Sequence, residues 1–350
     1  MNENREKDHD VVFGQSFARF DAEQMIDFVK PFQTRFDANG IDASALFAGK
    51  RCLDAGCGTA RGSIFMLQHG AEHVTAVDVS EKNTASAKRN LAPFGEQRFE
   101  CLNSSIESLP FEDDTFDFVW CYGVIQHTAI PDNCLQEISR VLKKNGGMFV
   151  FVYGAGGIYW YVVRKLREIL AELDGDDCFA ILSLMRLPVY DMTTFMDDWK
   201  AAYLRCYTHD DFMTRLRELG FNDATPMPLG TPWDLNHRLN TYPDDGYLFG
   251  EGDLRYLLTK SDDRAGGDTP ISASEYGSDC DFDPRIPARF DGAFGKLREA
   301  VAGNDVLAVQ ACAFLHGHLL PLMAAEGSFD LDGFEARLRD TVELTVRIAR

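Results

Sequence analysis

The chain has 350 residues, 45% of them hydrophobic, and a net charge of −20 at neutral pH. This length and apolar fraction suffice for one large core with substantial additions. The acidic balance argues against nucleic acid and anionic membranes as partners, since phosphate groups are bound by clustered Lys and Arg. The first ten residues lack the apolar stretch of a signal peptide, and the nine cysteines lack paired spacing. A cytoplasmic protein with free thiols is therefore expected.

The N-terminal 50 residues are predicted to form a helical cover. Their phenylalanines recur at roughly helical spacing, namely Phe13, Phe17, Phe20, Phe28, Phe32 and Phe36. Asp21 suits the N-cap of such a helix because its side chain can accept from an unpaired backbone N–H. Ordinary packing and a cover over a bound ligand are both open for these aromatic rings.

The segment from Arg51 to Ser63, RCLDAGCGTARGS, predicts a strand, a glycine turn and a helix start. Asp54 ends the apolar strand, and Gly56 and Gly58 allow positive φ and close approach of a ligand to the backbone. The helix is predicted from Thr59 to Gln68, with unpaired N–H groups at its start. Dinucleotide-binding turns also contain glycines, but the third glycine of that pattern is replaced here by Arg61.

Four further strands are predicted, each followed by a loop or helix. They are expected at His73–Val79, Arg98–Leu102, Asp117–Cys121 and Met148–Tyr153. A helix from Pro131 should precede the last of these and close at Asn145 to Gly147. The alternation predicts a parallel sheet covered on both faces, with ligands at the carboxyl ends of the strands.

The order Asp54-x-Gly56-x-Gly58, followed one unit later by Asp78, resembles motif I of the class I S-adenosylmethionine (SAM) methyltransferases. The resemblance implies a Rossmann-like, doubly wound sheet of seven strands, mostly parallel, with the last strand antiparallel. It also implies SAM as cofactor, with Asp78 accepting from the ribose hydroxyls. Many relatives carry aspartate at the position of Ser105, where it contacts the adenine amino group, and this chain departs from them there.

The cofactor contacts expected from this resemblance are Asp54, Gly56, Gly58, Asp78, Val79, Ser105, Ile106, Cys121 and Phe20. Phe13 is an alternative to Phe20, because an aromatic N-terminal helix covers SAM in related enzymes. Asp54 would face the ammonium group of the cofactor.

Two insertions are expected to form lids over the cofactor, at about 154–207 and 229–253. Both leave the carboxyl edge of the sheet, within a core spanning residues 51–260. The side chains that bind the acceptor are expected among the aromatic and basic residues of these insertions, namely Trp160, Tyr161, Trp199, Tyr203, Tyr207, Trp233, His237, Arg238 and Tyr242. The last two strands are expected near Ala224–Met227 and Leu254–Thr259, after a helix with a capping box at Thr208 and Asp211.

Residues 261–284 are rich in Gly, Ser and Asp and are predicted to be a linker or long loop. Residues 285–350 form a predicted helical extension outside the resemblance, which could dock on the core, contribute to the pocket or form a homodimer contact. No metal site is expected, because His316 and His318 point to different sides of a helix and lack partners for a metal.

The predicted activity is methyl transfer from SAM to a small molecule, with oxygen, nitrogen, sulfur and carbon acceptors all open. His127 and Tyr122, in the loop after the fourth strand, are the predicted catalytic residues, since a base assists attack by a hydroxyl or protonated amine. A non-catalytic SAM-binding protein and a methyltransferase acting on a macromolecule are the alternatives.

Overall fold

The computed structural model describes residues 10–15, 22–232, 234–235, 239–240, 246–261, 282–324 and 330–349. A short π-helical turn at Asp10–Gln15 precedes the regular elements. The helices are α1 (Ala22–Ala38), α2 (Ala43–Phe47), α3 (Arg61–Gln68), α4 (Glu81–Leu91), α5 (Pro131–Val141), α6 (Gly157–Ile169), α7 (Gly175–Leu184), α8 (Val189–Lys200), α9 (His209–Glu218), α10 (Gly246–Phe249), α11 (Arg285–Val301), α12 (Asp305–Ala324) and α13 (Leu331–Ala349). The strands are β1 (Arg51–Ala55), β2 (His73–Asp78), β3 (Phe99–Asn103), β4 (Phe116–Tyr122), β5 (Leu142–Gly154), β6 (Cys206–Tyr207), β7 (Asp223–Pro226) and β8 (Asp253–Thr259).

The strands form one mixed sheet in the order β3-β2-β1-β4-β5-β8-β7, and the two-residue β6 pairs with the end of β5. Strands β1 to β5 are mutually parallel, whereas β8 runs antiparallel to both β5 and β7. The predicted doubly wound sheet with an antiparallel last strand is thus confirmed. The strand order reverses beside β1, so a crevice opens at the carboxyl ends of β1 and β4.

Several element boundaries differ from the sequence prediction. Helix α5 ends at Val141 rather than at Asn145, and β5 begins at Leu142, which pairs with Phe116. Leu142 is fully buried, and the ammonium group of Lys260 donates to its carbonyl oxygen at 2.6 Å. These tertiary contacts stabilise an extended strand where the local glycines suggest a helix end. Helix α3 also begins later than expected, at Arg61, because Ala60 before it has a left-handed φ of 76°.

Of the capping box predicted before α9, the N-cap half is confirmed, whereas Asp211 accepts from the hydroxyl of Thr208 rather than from its backbone N–H. Thr208 Oγ1 accepts from the Asp211 backbone N–H at 3.1 Å and donates to the Asp211 carboxylate at 2.7 Å. The proposed N-cap Asp21 lies outside the described residues.

Three apolar clusters build the interior. In the first, helices α1, α2, α3 and α4 pack on one face of the sheet. In the second, helices α5 and α9 pack on the other face. The third joins helices α6 to α8 with α11 to α13, so the C-terminal extension packs on the insertion after β5. The division of the chain into an N-terminal cover (1–50), a core (51–260), a linker (261–284) and an extension (285–350) stays a prediction.

Among the described residues, the eight cysteines form no disulfide. Within the same part of the chain, no helix combines the length and apolar composition needed to cross a bilayer.

Candidate functional site

A cavity of about 790 Å³ opens at the carboxyl ends of β1, β2, β4 and β5. The glycine turn, the ends of β2 and β3, the loop after β4 and helix α8 all contribute to its wall. Its size lies within the range of small-molecule and cofactor sites. Phe13, from the π-helical turn, also lines it, with its ring centroid 5.1 Å from that of His127.

The glycine turn presents bare backbone to this cavity. Gly56 and Gly58 have φ values of 79° and 51°, which strongly favour glycine. A Cβ on Gly62 would lie 2.5 Å from the indole nitrogen of Trp120 and 3.0 Å from a carboxylate oxygen of Asp54. The first turn of α3 can therefore approach Asp54 and Trp120 only because residue 62 lacks a side chain.

Asp78 ends β2 with its carboxylate in the cavity wall. Its Oδ2 accepts from the Gly58 N–H at 2.8 Å, and its Oδ1 accepts from the Ser80 N–H at 2.9 Å and from the Asn83 side chain at 3.1 Å. These donors hold the carboxylate in one orientation beside the glycine turn. Three of the four lone pairs of the carboxylate are used, and the remaining one, on Oδ2, can accept from a hydroxyl of a ligand.

Asp54 is the penultimate residue of β1 and is 2% exposed. Its Oδ2 accepts both the backbone N–H and the hydroxyl of Ser63, at 2.7 and 2.6 Å. Burial nevertheless raises the pKa of Asp54 to about 6, because two hydrogen bonds do not replace the lost hydration. The Asp54 carboxylate is thus a desolvated anion at neutral pH, suited to a cationic ligand group.

Val79, Ser105 and Ile106 also line the cavity. The Ser105 hydroxyl accepts from the Glu107 N–H at 3.1 Å, which leaves its proton for another acceptor. Cys121 was predicted to contact the cofactor, but its side chain faces away and packs with the α5 cluster. The cause is the alternation of strand β4, which directs Trp120 and Tyr122 to the opposite face. Phe20 lies outside the described residues.

His127 and Tyr122, the predicted catalytic residues, both line the cavity. His127 Nδ1 lies 2.9 Å from the backbone oxygen of Tyr203. A carbonyl can only accept, so Nδ1 carries the proton and Nε2 is the basic nitrogen of the neutral ring. Tyr122 stands beside Phe151, with ring centroids 4.6 Å apart.

Asp197, on helix α8, was not singled out from the sequence. It lines the cavity with its Oδ1 3.5 Å from His127 Nε2, while its Oδ2 accepts from the Tyr153 hydroxyl at 3.2 Å. Burial, and then the charge of Asp198, raise the pKa of Asp197. The available signal was an acidic pair interrupting the apolar positions of α8, which alone does not distinguish a site from a solvated face.

Of the residues predicted to contact the acceptor, only some lie at the cavity. Tyr203 lines the cavity, whereas Trp160 and Tyr207 are buried in apolar clusters outside its wall. Trp160 packs on Tyr153, with ring centroids 4.7 Å apart, so it supports a lining residue from behind. Tyr161 and Trp199 pack in the same cluster as Trp160. Trp233, His237, Arg238 and Tyr242 lie outside the described residues.

His316 lies in the interior, where both of its ring nitrogens have protein partners. It is fully buried, accepts from the Trp199 indole N–H at 3.0 Å and lies 3.2 Å from the Asp198 carboxylate. Trp199 occupies Nδ1, so Nε2 carries the proton that Asp198 accepts. The residues described by the structure contain no group of three His, Cys, Asp or Glu that could hold a metal ion.

Comparison with known proteins identifies similar chains. A family model described as "Methyltransferase domain" matches residues 53–151. The demethylmenaquinone methyltransferase of Clavibacter sepedonicus is 37% identical over 108 residues, which are 31% of this chain and 43% of that protein. The ubiquinone biosynthesis O-methyltransferase of Aromatoleum aromaticum is 34% identical over 201 residues, covering 56% of this chain and 79% of that protein.

The chain spans about half the length of the first curated relatives that it matches. Among solved structures, a 1,6-didemethyltoxoflavin-N1-methyltransferase from Burkholderia thailandensis, with bound 1,6-didemethyltoxoflavin and S-adenosylhomocysteine, is 17% identical. The similarity covers 68% of this chain and 87% of that chain, with a TM-score of 0.41.

Proposed function

Because the chain belongs to the class I SAM-dependent methyltransferases, we propose that it methylates the hydroxyl oxygen of a small acceptor held between the glycine turn and helix α8. The enzyme uses SAM as its cofactor. The proposal for a general base rests on one observation: His127 lines the same cavity as Asp54 and Asp78, with its proton held on Nδ1. Oxygen is preferred to nitrogen because the relative from Aromatoleum aromaticum is an O-methyltransferase.

The cavity residues fit SAM. Gly58 leaves its backbone open, with no atom within 4 Å of the place of a Cβ, and Asp78 is oriented by three donors. Asp78 would hold a ribose hydroxyl, and Asp54 would face the cationic amino-acid end of SAM. Val79, Ser105 and Ile106 would flank the adenine ring. Bound SAM supplies a methyl group on a positively charged sulfur, which reacts with a nucleophile in line with the methyl–sulfur bond.

His127 is proposed to act as the general base. The neutral ring accepts the hydroxyl proton at Nε2 as the acceptor oxygen becomes nucleophilic. The positive charge of the imidazolium opposes the raised pKa of Asp197, whose Oδ1 lies 3.5 Å from His127 Nε2, so that the ionised carboxylate stabilises the charged ring. The Tyr153 hydroxyl keeps the other oxygen of Asp197 in place. Tyr122, the second predicted catalytic residue, is proposed to position the acceptor against the aromatic wall that it forms with Phe151.

The covers over the cavity exclude water and hold the reactants, which supplies much of the rate in a displacement that needs little covalent help. Phe13 closes the N-terminal side and Tyr203 follows α8 on the other. Helix α8 is itself anchored, since Arg167 donates to the carbonyl oxygens of Asp198 and Ala201 at 2.9 and 2.7 Å. A homodimer formed through the C-terminal extension remains a prediction.

The experiment combines labelled SAM with a fractionated cell extract. Transfer of label to a small molecule, whose mass gives the product, supports the proposal. Label on protein or RNA would favour the macromolecular alternative, and SAM binding without any transfer would favour a non-catalytic role.

The oxygen assignment is tested with His127→Ala on the identified acceptor. Removing a general base should lower kcat by about 100-fold or more, with S-adenosylhomocysteine (SAH) affinity unchanged. His69→Ala is the matched control, because the His69 ring lies against Phe65 at the end of α3, bonds to its carbonyl at 2.8 Å and does not line the cavity. A His127→Ala enzyme with the wild-type rate would contradict the base and the choice of a hydroxyl.

A further inference from the structure

The side chain of Arg61 is a cation in the cavity wall with an unusual environment. It extends from the first turn of α3, where dinucleotide-binding turns have glycine. Its guanidinium carbon lies 4.1 Å from the ring centroid of Phe28, 5.3 Å from that of Phe32 and 5.8 Å from that of Tyr122. Aromatic faces attract the guanidinium and hold its plane, while its N–H edges remain available.

No carboxylate or carbonyl oxygen among the described residues accepts a hydrogen bond from Arg61. The neighbouring Arg35 differs, because it donates to both oxygens of Asp234 at 2.9 and 2.7 Å. Burial lowers the pKa of Arg61, and the charge of Arg35 lowers it further, yet a guanidinium stays protonated at neutral pH. Arg61 is half-buried and has no hydrogen-bond acceptor among the described residues, so a bound anion would supply the partner that its N–H groups lack.

The rest of the wall restricts the kind of anion. Apart from Arg61 and His127, the charged residues that line the cavity are one lysine, Lys82, and five acids. The acids are Asp54, Asp78, Glu81, Glu107 and Asp197. A phosphate or polyphosphate would meet these carboxylates at close range. A single carboxylate matches the planar fork of one arginine and its one charge.

We propose that Arg61 binds the carboxylate of a ligand held in this cavity. Two ligands of the proposed reaction could supply that group: the amino-acid end of SAM, or an acceptor that carries a carboxylate beside its hydroxyl. The proposal rests on the proposed function only in taking SAM as an occupant of the cavity.

The first measurement compares SAH with decarboxylated SAH, which lacks only the carboxylate, by calorimetry. If Arg61 binds the cofactor carboxylate, Arg61→Met weakens SAH binding about 10- to 100-fold and leaves decarboxylated SAH unchanged. Methionine keeps an apolar stem against Phe28, and the half-buried charge it removes has no acceptor among the described residues, so the melting temperature should stay close to that of the wild type. Arg61→Lys is the second variant, because it keeps the charge and loses the planar fork.

The second measurement uses 4-hydroxybenzoate and phenol as probes, each titrated into the SAH-saturated protein. If Arg61 binds an acceptor carboxylate, the wild type prefers 4-hydroxybenzoate, and Arg61→Met loses this preference with SAH affinity unchanged. Lys82→Met removes a positive charge from the same cavity and measures the effect of net charge alone. Losses in Lys82→Met equal to those in Arg61→Met would overturn the proposal.

Equal affinities of the wild type and Arg61→Met for SAH, together with no carboxylate preference in either protein, would also overturn it. In that result, retained binding of decarboxylated SAH shows that the nucleoside site is intact and the proposed function stands. Failure of the wild type to bind either nucleoside would count against the proposed function instead.

Discussion

Asp78 shows how one residue at the end of a strand can organise a cofactor site. Its two oxygens accept from Gly58, Ser80 and Asn83, so the carboxylate both orders the glycine turn and faces the cavity. This position follows from the pattern of strand and turn alone, because the acid directly ends an apolar run. The aspartate is therefore visible in the sequence, while its three donors are visible only in the structure.

Asp78→Ala is expected to weaken SAH binding by about 10- to 100-fold, because hydrogen bonds to a charged acceptor are lost. Calorimetry at neutral pH measures the change. Asp113→Ala serves as the control, since that side chain is 72% exposed and distant from the cavity wall. SAH affinity equal to that of the wild type would refute the ribose assignment.

Asp54 links cofactor binding to stability through its raised pKa. Because the pKa is about 6 in the folded protein and ordinarily 3.8, the folded state holds the proton more tightly than the unfolded chain. The protonated Asp54 carboxyl therefore stabilises the folded protein fully below pH 3.8, its ordinary pKa, and this stabilisation is lost as the pH rises through about 6. Ligand-free wild-type protein therefore carries a buried, destabilising charge at neutral pH.

Asp54→Asn should raise the free energy of unfolding of the ligand-free protein at about pH 8 by about 2 to 3 kcal/mol. The gain should shrink toward about pH 5, because the wild-type carboxyl is then protonated, and asparagine can still accept from Ser63. Urea unfolding at both pH values measures it. The same variant should bind SAH more weakly, and a stability gain independent of pH would contradict this account.

At the scale of elements, helix α12 of the extension is joined to helix α8 of the insertion by a buried polar contact. His316 accepts from Trp199 and donates to Asp198, which also accepts from the Tyr159 hydroxyl at 2.8 Å. Asp198 directly follows Asp197 in the chain. The orientation of the carboxylate beside His127 thus depends on a contact that spans more than 100 residues of sequence.

His316→Leu is expected to destabilise the protein by about 2 to 4 kcal/mol, because Trp199 and Asp198 lose a buried partner. Chemical denaturation measures this change. Val306→Ala, at a position 52% exposed on the same helix, is the control and should change stability by less than about 0.5 kcal/mol. A His316→Leu protein as stable as that control would show that the contact contributes nothing.

Element types were predicted well where one local pattern prevails, as at β1, β2 and the capped helix α9. The end of α5 was predicted wrongly, because Asn145 and the glycines after it suggest a helix terminus. In the structure Leu142 already pairs with Phe116, and the strand continues through these residues. Pairing with a distant strand outweighed the local turn signal there, and a single sequence does not reveal that partner.

Across the whole molecule, the extension covers the insertion after β5. Tyr161 of α6 packs between Phe290 and Phe294 of α11, with ring centroids 6.3 and 6.1 Å away. These helices share one apolar cluster, so neither group buries its apolar face alone. Of the three roles left open for the extension, docking is the one that the structure supports directly.

Removal of residues 285–350 is expected to expose this cluster. The shortened protein should bind a hydrophobic dye and exchange amide hydrogens faster in α6 and α8, whereas β1, β2 and β4 stay protected. Mass spectrometry after hydrogen exchange compares both proteins. Equal protection of α6 in the two proteins would show that the insertion folds independently of the extension.

The sequence by itself determined the sheet, the glycine turn with Asp54 and Asp78, and the family to which these belong. Those features depend on short-range patterns, because strand alternation, turn glycines and an acid at a strand end are read within a few residues. Only the tertiary structure decided that Cys121 faces away from the cavity, that Asp197 meets His127 and that Arg61 has no acceptor within the described part of the chain. Each of these features depends on which distant elements pack together. Patterns within a few residues of sequence do not show such long-range contacts.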